Sequence, residues 1–424
     1  MKKALIILEK ILVVVLCGIL LAAPFSKHLV KILYYLALTL WVGLNILKYR
    51  SRFYKGLFSY TSSSGKAIAV FFLAAVISTI FSLKPYHSQE ILFQRYFPYF
   101  ILFFLGADLV RNSVGPLSIN FQGKKVCFSN LSIIISSFLL LSIIVGLGGV
   151  WDYSRFHPLR LWTVFGKEIG TKMLPVYLVY LIPFNFAFFI YSKNKIFKII
   201  SFFTFCLLFF VLIFTGSRGA LLAAIISLIF LVLFSRKKRY ILFFLFLSIA
   251  TIFVMPQYYQ RRAKTLLRPA DKYRFVARKK LFKFAGDIFI TKPVFGAGVG
   301  MYELLPILAK DYPYGERVHL HVHNTYLEVL SEMGAVGLLA FLWIFVIFFK
   351  NVFRSIRLCQ NVNTKAIQIG LVGSIIASLI FALSCTIITV GFQDALMFWI
   401  LFGVSSGLIS RHTRQPVLPE KASV

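Results

Sequence analysis

Ile196-Phe197-Lys198-Ile199-Ile200-Ser201-Phe202-Phe203-Thr204-Phe205-Cys206-Leu207-Leu208-Phe209-Phe210-Val211-Leu212-Ile213-Phe214 is an apolar run whose lone charge is Lys198. A helix of about 20 such residues crosses the hydrocarbon core of a bilayer. Lys193 and Lys195 precede the run and Gly216-Ser217-Arg218 follow it, so both ends are marked. Working outward with the same criterion gives twelve runs: 4–24, 29–47, 66–83, 91–110, 131–150, 173–191, 196–214, 219–234, 239–255, 328–349, 366–389 and 392–410. The predicted fold class is an all-α integral membrane protein with about 12 transmembrane helices. The weakest runs are 219–234, which is short, and the first, which carries Glu9 and Lys10. Lys2 and Lys3 precede that first run without a small-residue cleavage site after it, the pattern of a retained helix rather than a removed signal peptide.

Composition excludes the soluble alternatives. The 424 residues are 59% hydrophobic and only 14% charged, with a mean hydropathy of +0.82. A soluble domain has about a quarter of its residues charged to cover its surface. Five cysteines, at positions 17, 127, 206, 359 and 385, lie in or near apolar stretches and follow no disulfide framework. The formal charge of +33 would ordinarily suggest nucleic acid, but its distribution follows the membrane instead. With the N-terminus inside, the inner segments hold 24 Lys and Arg, against seven in the short outer loops. Positive charge collects on the cytoplasmic side, so both termini are expected there and no nucleic-acid partner is required.

The segment 256–327 stands outside this account, with 13 basic and five acidic residues in one long outer loop. Loops of this length translocate regardless of charge, so its basicity needs another cause. The expected organisation is helices 1–9 over 1–255, the large loop over 256–327, helices 10–12 over 328–410, and a tail over 411–424. Arg261, Arg262, Lys264, Arg268, Lys272, Arg274, Arg278, Lys279, Lys280 and Lys283 open the loop. Within 275–290, Leu281, Phe282, Ala285, Ile288 and Phe289 recur at helical spacing, which predicts a helix lying in the interface with its apolar side down. Its lysines fit plain attraction to anionic membrane lipids, whereas the planar fork of arginine suits phosphate.

Three further stretches carry chemistry. Lys292-Pro293-Val294-Phe295-Gly296-Ala297-Gly298-Val299-Gly300 has alternating glycines but no Walker lysine, and reads as a turn for close backbone packing. His319-Leu320-His321-Val322-His323-Asn324-Thr325-Tyr326 places three histidines at period two. Zinc binding, a hydrogen-bonded structural role, and general-base catalysis at a sugar hydroxyl are all open to such residues, and the last suits His323 best. Thr215-Gly216-Ser217-Arg218-Gly219-Ala220 leaves one arginine between two apolar runs, where it needs a partner, a ligand or a route to the headgroups. Trp151, Tyr153, Arg155, Phe156, His157, Arg160 and Trp162 form a second aromatic and basic outer segment, read first as interfacial anchors.

Taken together, these patches resemble the O-antigen ligase and O-antigen polymerase superfamily of bacterial envelope proteins, with ligase favoured. The resemblance rests on Thr215-Gly216-Ser217-Arg218-Gly219, on Arg278 and Phe282 followed by Pro293–Gly300, and on His323-Asn324-Thr325-Tyr326-Leu327-Glu328 with Glu332-Met333-Gly334-Ala335-Val336-Gly337. Arg160–Gly166 and the run after Pro183 echo it more faintly. It implies a GT-C-like inverting glycosyltransferase of the bacterial inner membrane with a periplasmic active site. The donor would be a glycan on undecaprenyl pyrophosphate and the acceptor lipid A–core. By the same resemblance His323 is the catalytic base and Arg218 and Arg278 hold the pyrophosphate. Phe282 stands where the family usually has Trp, and Lys279 and Lys280 crowd it, which makes Arg274 an alternative to Arg278. Arg261 is a further pyrophosphate candidate, and Arg160, His321 and Asn324 are candidate substrate contacts.

The outer loops contain no Asp-x-Asp pair for a divalent ion and many arginines, so metal-independent transfer without a cofactor is expected. A polymerase would use the same donor with a second lipid-linked glycan as acceptor. A protein O-oligosaccharyltransferase would use serine or threonine. A glycan transporter would instead place ionisable groups at mid-membrane, where Arg95 and Asp394 are the clearest examples.

Overall fold

The structure is a computed structural model that describes residues 2–49, 63–121, 124–156, 161, 173–235, 272–303, 321–389 and 392–414. The expected span 239–255, much of the large loop, and Arg160 and Arg261 lie outside the described residues. The helices are α1 (Lys2–Ala22), α2 (Lys27–Tyr49), α3 (Ser63–Ile80), α4 (Pro85–Ile91), α5 (Phe97–Arg111), α6 (Asn130–Phe156), α7 (Leu174–Tyr191), α8 (Lys195–Thr215), α9 (Arg218–Ser235), α10 (Lys272–Thr291), α11 (Thr325–Leu358), α12 (Val362–Phe381) and α13 (Phe392–Arg414). Among the described residues, nine helices are long and apolar enough to cross a membrane, and Arg218–Phe234 is a shorter apolar helix. The chain is thus a multi-pass integral membrane protein in architecture.

Two expected spans differ in detail. The run at 91–110 is a composite in which α4 passes through a π-helical turn, Leu92–Tyr96, into α5. The run at 366–389 is helical only to Phe381 and then becomes a series of turns. One small exception to the helical architecture is an antiparallel hairpin of β1 (Leu117–Phe121) and β2 (Lys124–Phe128), with Leu117 opposite Phe128. Leu117-Ser118-Ile119-Asn120-Phe121 alternates apolar and polar side chains, a period of two that a helix cannot use.

α7 and α13 form the centre, with 89% of each spanning window buried. Most other spanning helices keep apolar residues exposed on one side, including Val14, Leu73, Phe203 and Leu339, as lipid-facing surfaces require. Association between apolar helices in lipid depends on close van der Waals approach, so small residues mark the interfaces. Gly403 and Gly407, one turn apart on α13, face Phe103 and Ala107 of α5: an added Cβ would lie 2.2 Å from the Phe103 carbonyl oxygen and 2.5 Å from that of Ala107. Glu9 and Lys10, which weaken the first run as a span, are buried and paired. Glu9 accepts from Ser113 Oγ at 3.1 Å, Val114 N at 2.9 Å and Asn130 Nδ2 at 2.7 Å, while Lys10 donates to Asn130 Oδ1.

The helix ends sort into two groups. Ala23 O accepts from Tyr177 at 2.8 Å and from Gln393 at 3.1 Å, and Thr325 N donates to Ala382 O at 2.9 Å, all at one end. At the other, Lys48 donates to Asn112 O at 2.7 Å and Asn351 to Ser63 at 2.6 Å. The start of α9, the loop before α11 and the residues after α12 fall at the first end.

A Gly403→Ala substitution should overpack α5 against α13 and lower stability by about 1–3 kcal/mol. Gly43→Ala, in α2 with nothing within 4 Å of its added Cβ, should be neutral or slightly stabilising because alanine favours the helix. Thermal unfolding of both variants in detergent checks this; equal melting temperatures would contradict the packing account.

Candidate active site

The site is organised around a break in α11. Gly334 has φ 65° and ψ −166° inside that helix, which removes nearby backbone groups from the helical ladder. The turn after α10, Pro293–Gly300, satisfies them. Ala335 N donates to Pro293 O at 2.8 Å and Val336 N to Val294 O at 3.2 Å, while Ala297 N and Gly298 N donate to the Ser331 and Glu332 carbonyls at 3.0 and 2.9 Å. Such pairing meets the requirement that buried backbone groups be hydrogen-bonded. Gly296 and Gly298 also have positive φ, and their hydrogens face the Glu332 backbone and Ser82, where a Cβ would lie within 2.3 Å. The glycine motif therefore serves close backbone packing. Just past the motif, Tyr302 N donates to Glu332 Oε1 at 3.2 Å.

Helix α10 forms over the expected region, but protein covers its apolar side. Ala285 and Ile288 are buried with Ala297, Met301, Tyr302 and Val322 in a small separate core, and Tyr302 donates to Leu281 O at 3.0 Å. The interfacial reading of this stripe is corrected accordingly: the apolar residues pack against the glycine turn rather than lipid. Arg278, Lys279, Lys280 and Lys283 remain on the exposed side.

His323 follows the buried Val322 and adopts φ 54°, the one positive value at a non-glycine among the described residues. Left-handed backbone is costly for a residue with a Cβ and persists where its surroundings impose it. Here the next residues are fixed to the far end of α12. Asn324 caps α11, accepting from Tyr326 N at 2.9 Å and Leu327 N at 3.0 Å, and donates to Leu383 O at 3.2 Å. Thr325 Oγ1 donates to Cys385 O at 3.2 Å, and Tyr326 to Leu379 O at 2.9 Å. These bonds account for most of the Asn324 side chain, which sequence alone had suggested as a substrate contact.

The turn that receives His323's neighbours also receives the start of α9. A Cβ on Gly219 would lie 2.1 Å from Ser384 Oγ and 3.3 Å from Phe381. Arg218, the first residue of α9 and exposed, is therefore brought to the same Phe381–Cys385 turn as the His323 segment. Arg278 acts electrostatically on both His323 and Cys385. Arg274 belongs to α10 one helical turn before Arg278, and its side chain is not among those described. Leu161, next to Arg160 in sequence, is buried and donates to Phe214 O at 3.1 Å, beside Thr215-Gly216.

Although His323 has an open surface, desolvation by the surrounding protein holds its pKa below the usual 6.5, with the positive charge of Arg278 and then His321 acting in the same direction. The shift favours the neutral, proton-accepting form of the imidazole.

Sequence reasoning named Arg95 and His321 separately but missed Glu303, which joins them beside the glycine turn. Arg95, in the π-helical turn, donates from Nη1 and Nη2 to the two Glu303 oxygens at 2.6 and 3.1 Å. His321 Nδ1 lies 3.5 Å from Glu303 Oε1. Arg95 had signalled its need for a partner by its place in an apolar run, but Glu303 is 208 residues away in sequence and gave no such signal. Glu328, buried one turn before Glu332, accepts from Thr389 Oγ1.

Removing the Asn324 cap should cost about 1 kcal/mol of stability, whereas Asn324→Ser should retain an accepting oxygen and part of that energy without placing a charge against the Leu383 carbonyl. Melting temperatures of Asn324→Ala and Asn324→Ser in detergent compare the two; a loss equally large for serine would contradict the capping role.

Residues 202–342 match the family model described as O-antigen ligase, and no curated protein matches the chain. The matched stretch contains Arg218, Arg278, the glycine turn, His323 and the Gly334 break. It supports a ligase- or polymerase-type function carried by a membrane protein. Over residues 202–342, therefore, the chain is similar to the O-antigen ligase family.

Proposed function

We propose that the protein is an O-antigen ligase of the bacterial inner membrane, with both termini cytoplasmic and the site end of the bundle periplasmic. It moves a glycan from undecaprenyl pyrophosphate to a sugar hydroxyl of lipid A–core. The observation that carries this reading is the convergence at one turn, Phe381–Cys385, of the α9 start bearing Arg218 and the segment bearing His323. With Arg278 in electrostatic reach of that histidine, a proton acceptor and anion-binding groups come together at one end of the bundle.

In the proposed reaction the acceptor oxygen attacks the anomeric carbon on the side opposite the pyrophosphate. The bond from that carbon to the pyrophosphate oxygen breaks, and its electron pair leaves with undecaprenyl pyrophosphate. The hydroxyl proton passes to His323, and the anomeric configuration inverts. Arg218 and Arg278 stabilise the charge developing on the leaving group, assisted by Arg274 or Arg261 from the same loop. The N-terminal end of α9 adds its partial positive charge beside Arg218. Fixed guanidinium groups thus take the role that a divalent ion has in other transferases, and transfer should persist in EDTA.

Reconstitution with an undecaprenyl-pyrophosphate glycan and separate acceptors tests the assignment. Product on lipid A–core supports ligase, a lengthening lipid-linked ladder identifies the polymerase instead, and glycan movement without a new glycosidic bond overturns both. Arg218→Ala should lower turnover about 10²–10³-fold through lost charge stabilisation. His323→Ala should lower it by about 10²–10⁴-fold. Full activity of either variant, or abolition by EDTA, would refute the mechanism.

The pH dependence derives from the lowered pKa of His323. Its base form survives to lower pH than a free imidazole, so the acid limb of kcat/KM should fall below pH 6.5 and activity should be lost as pH drops through it. Arg278→Ala removes one cause of that lowering and should move the limb upward, whatever it does to the maximal rate. A limb that stays put or moves down would exclude the Arg278–His323 coupling.

A further inference from the structure

Beside the proposed reacting groups lies the ion pair of Arg95 and Glu303, and three observations give it more than a role in holding helices together. First, Glu303 Oε1 is shared: it accepts from Arg95 Nη1 at 2.6 Å and lies 3.5 Å from His321 Nδ1. Second, Arg95 is carried by a π-helical turn, Leu92–Tyr96, flanked by ordinary helix. A π turn inserts a residue into the helical repeat and rotates the next part of the helix, a distortion often retained at functional sites. Third, His321 is separated from His323 only by Val322, which is completely buried. Beyond His323 the chain is fixed at once by Asn324 and Thr325 to Leu383 and Cys385.

The left-handed residue therefore stands between two anchors. One is the α12 end, and the other is His321, whose Nδ1 lies in ion-pair range of the Glu303 carboxylate that Arg95 holds from a different helix. A single left-handed residue between fixed points has little freedom to carry its side chain elsewhere. Loss of the Glu303 anchor would release the segment on one side and allow His323 to leave the geometry needed for proton transfer. Side-chain exposures of 20% for Arg95, 14% for Glu303 and 33% for His321 place this group partly open at the site rather than sealed in the bundle.

We propose that Arg95, Glu303 and His321 form a positioning network that holds the His323 turn in its reactive orientation, with Glu303 as the shared anion. This extends the reading of His323 as the base and rests on it. Arg95 and Glu303 act through His321, and no contact with the reacting atoms is assigned to them. His321 acts through its charge on the Glu303 carboxylate, since no hydrogen bond joins its Nδ1 to Glu303, so a cationic side chain should replace it whereas a neutral one should not.

The test uses the full-length protein in detergent or nanodiscs, with Glu303→Gln, Arg95→Gln, His321→Ala and His321→Lys. Donor-dependent turnover is measured alongside carbethoxylation of His323 by diethyl pyrocarbonate, followed on the peptide by mass spectrometry. Thermal unfolding selects variants within a few degrees of the parent, and Arg95→Lys replaces Arg95→Gln if the latter fails to fold. Misplacing a reacting group by about 1 Å costs on the order of 10²-fold, so partial release should lower kcat at least about tenfold with donor KM within about twofold. The carbethoxylation rate should change with it, and His321→Lys should return both quantities toward the parent.

Folded Glu303→Gln and His321→Ala proteins with parental kcat and parental His323 reactivity would overturn the network. Equal losses in His321→Ala and His321→Lys would overturn the role of the charge. If His323 reactivity responds as expected but His323→Ala still transfers glycan, positioning stands and the reading of His323 as base fails.

Discussion

The arrangement depends on the backbone clasp between the Gly334 break in α11 and the turn Pro293–Gly300. A helix interrupted in a membrane protein exposes amides and carbonyls that apolar surroundings cannot solvate. Here the missing partners are supplied by a turn that begins at the end of α10. Its approach is close enough that an added Cβ at Gly296 or Gly334 would meet backbone atoms at 2.3 Å. The same turn receives α10 through Tyr302 and reaches Arg95 through Glu303. One set of backbone hydrogen bonds thereby locates the basic face of α10 and the segment leading into His323.

A second junction, at Phe381–Cys385, completes the assembly. The helix α12 ends there, and its carbonyls take up Asn324 and Thr325 while Ser384 lies against Gly219. Arginine and histidine thus approach from separate elements, α9, α10 and the loop before α11, none of which could form the site alone. The electrostatic consequence suits transfer from a pyrophosphate. In the proposed reaction exposed arginines would attract the anion, while desolvation and the same positive charge lower the pKa of the neighbouring His323 imidazole.

Much of the architecture was legible in the sequence because apolar runs of helical length report directly on membrane spans. Glu9 and Lys10 could be flagged as anomalies from sequence, but their resolution required Asn130 and Ser113, which are distant in the chain. The end of α12 was misread because Ala382–Thr389 is nearly as apolar as the helix before it, although its backbone turns. Arg218, Arg278 and His323 stood out through residue type and motif. Glu303 did not: an acidic residue in a basic loop has no periodicity, and only the fold brings it to Arg95. The apolar stripe of α10 carried the right period but could not say whether lipid or protein would cover it, because both reward burial of the same side chains.

The most direct test of the central claim is a cryo-electron-microscopy structure of the protein with undecaprenyl pyrophosphate bound in a nanodisc. The account predicts pyrophosphate density between Arg218 and the exposed face of α10 at Arg278, with the His323 imidazole facing the position of the anomeric carbon. Pyrophosphate bound at the opposite end of the bundle, or at the site end beyond reach of both arginines, would contradict it.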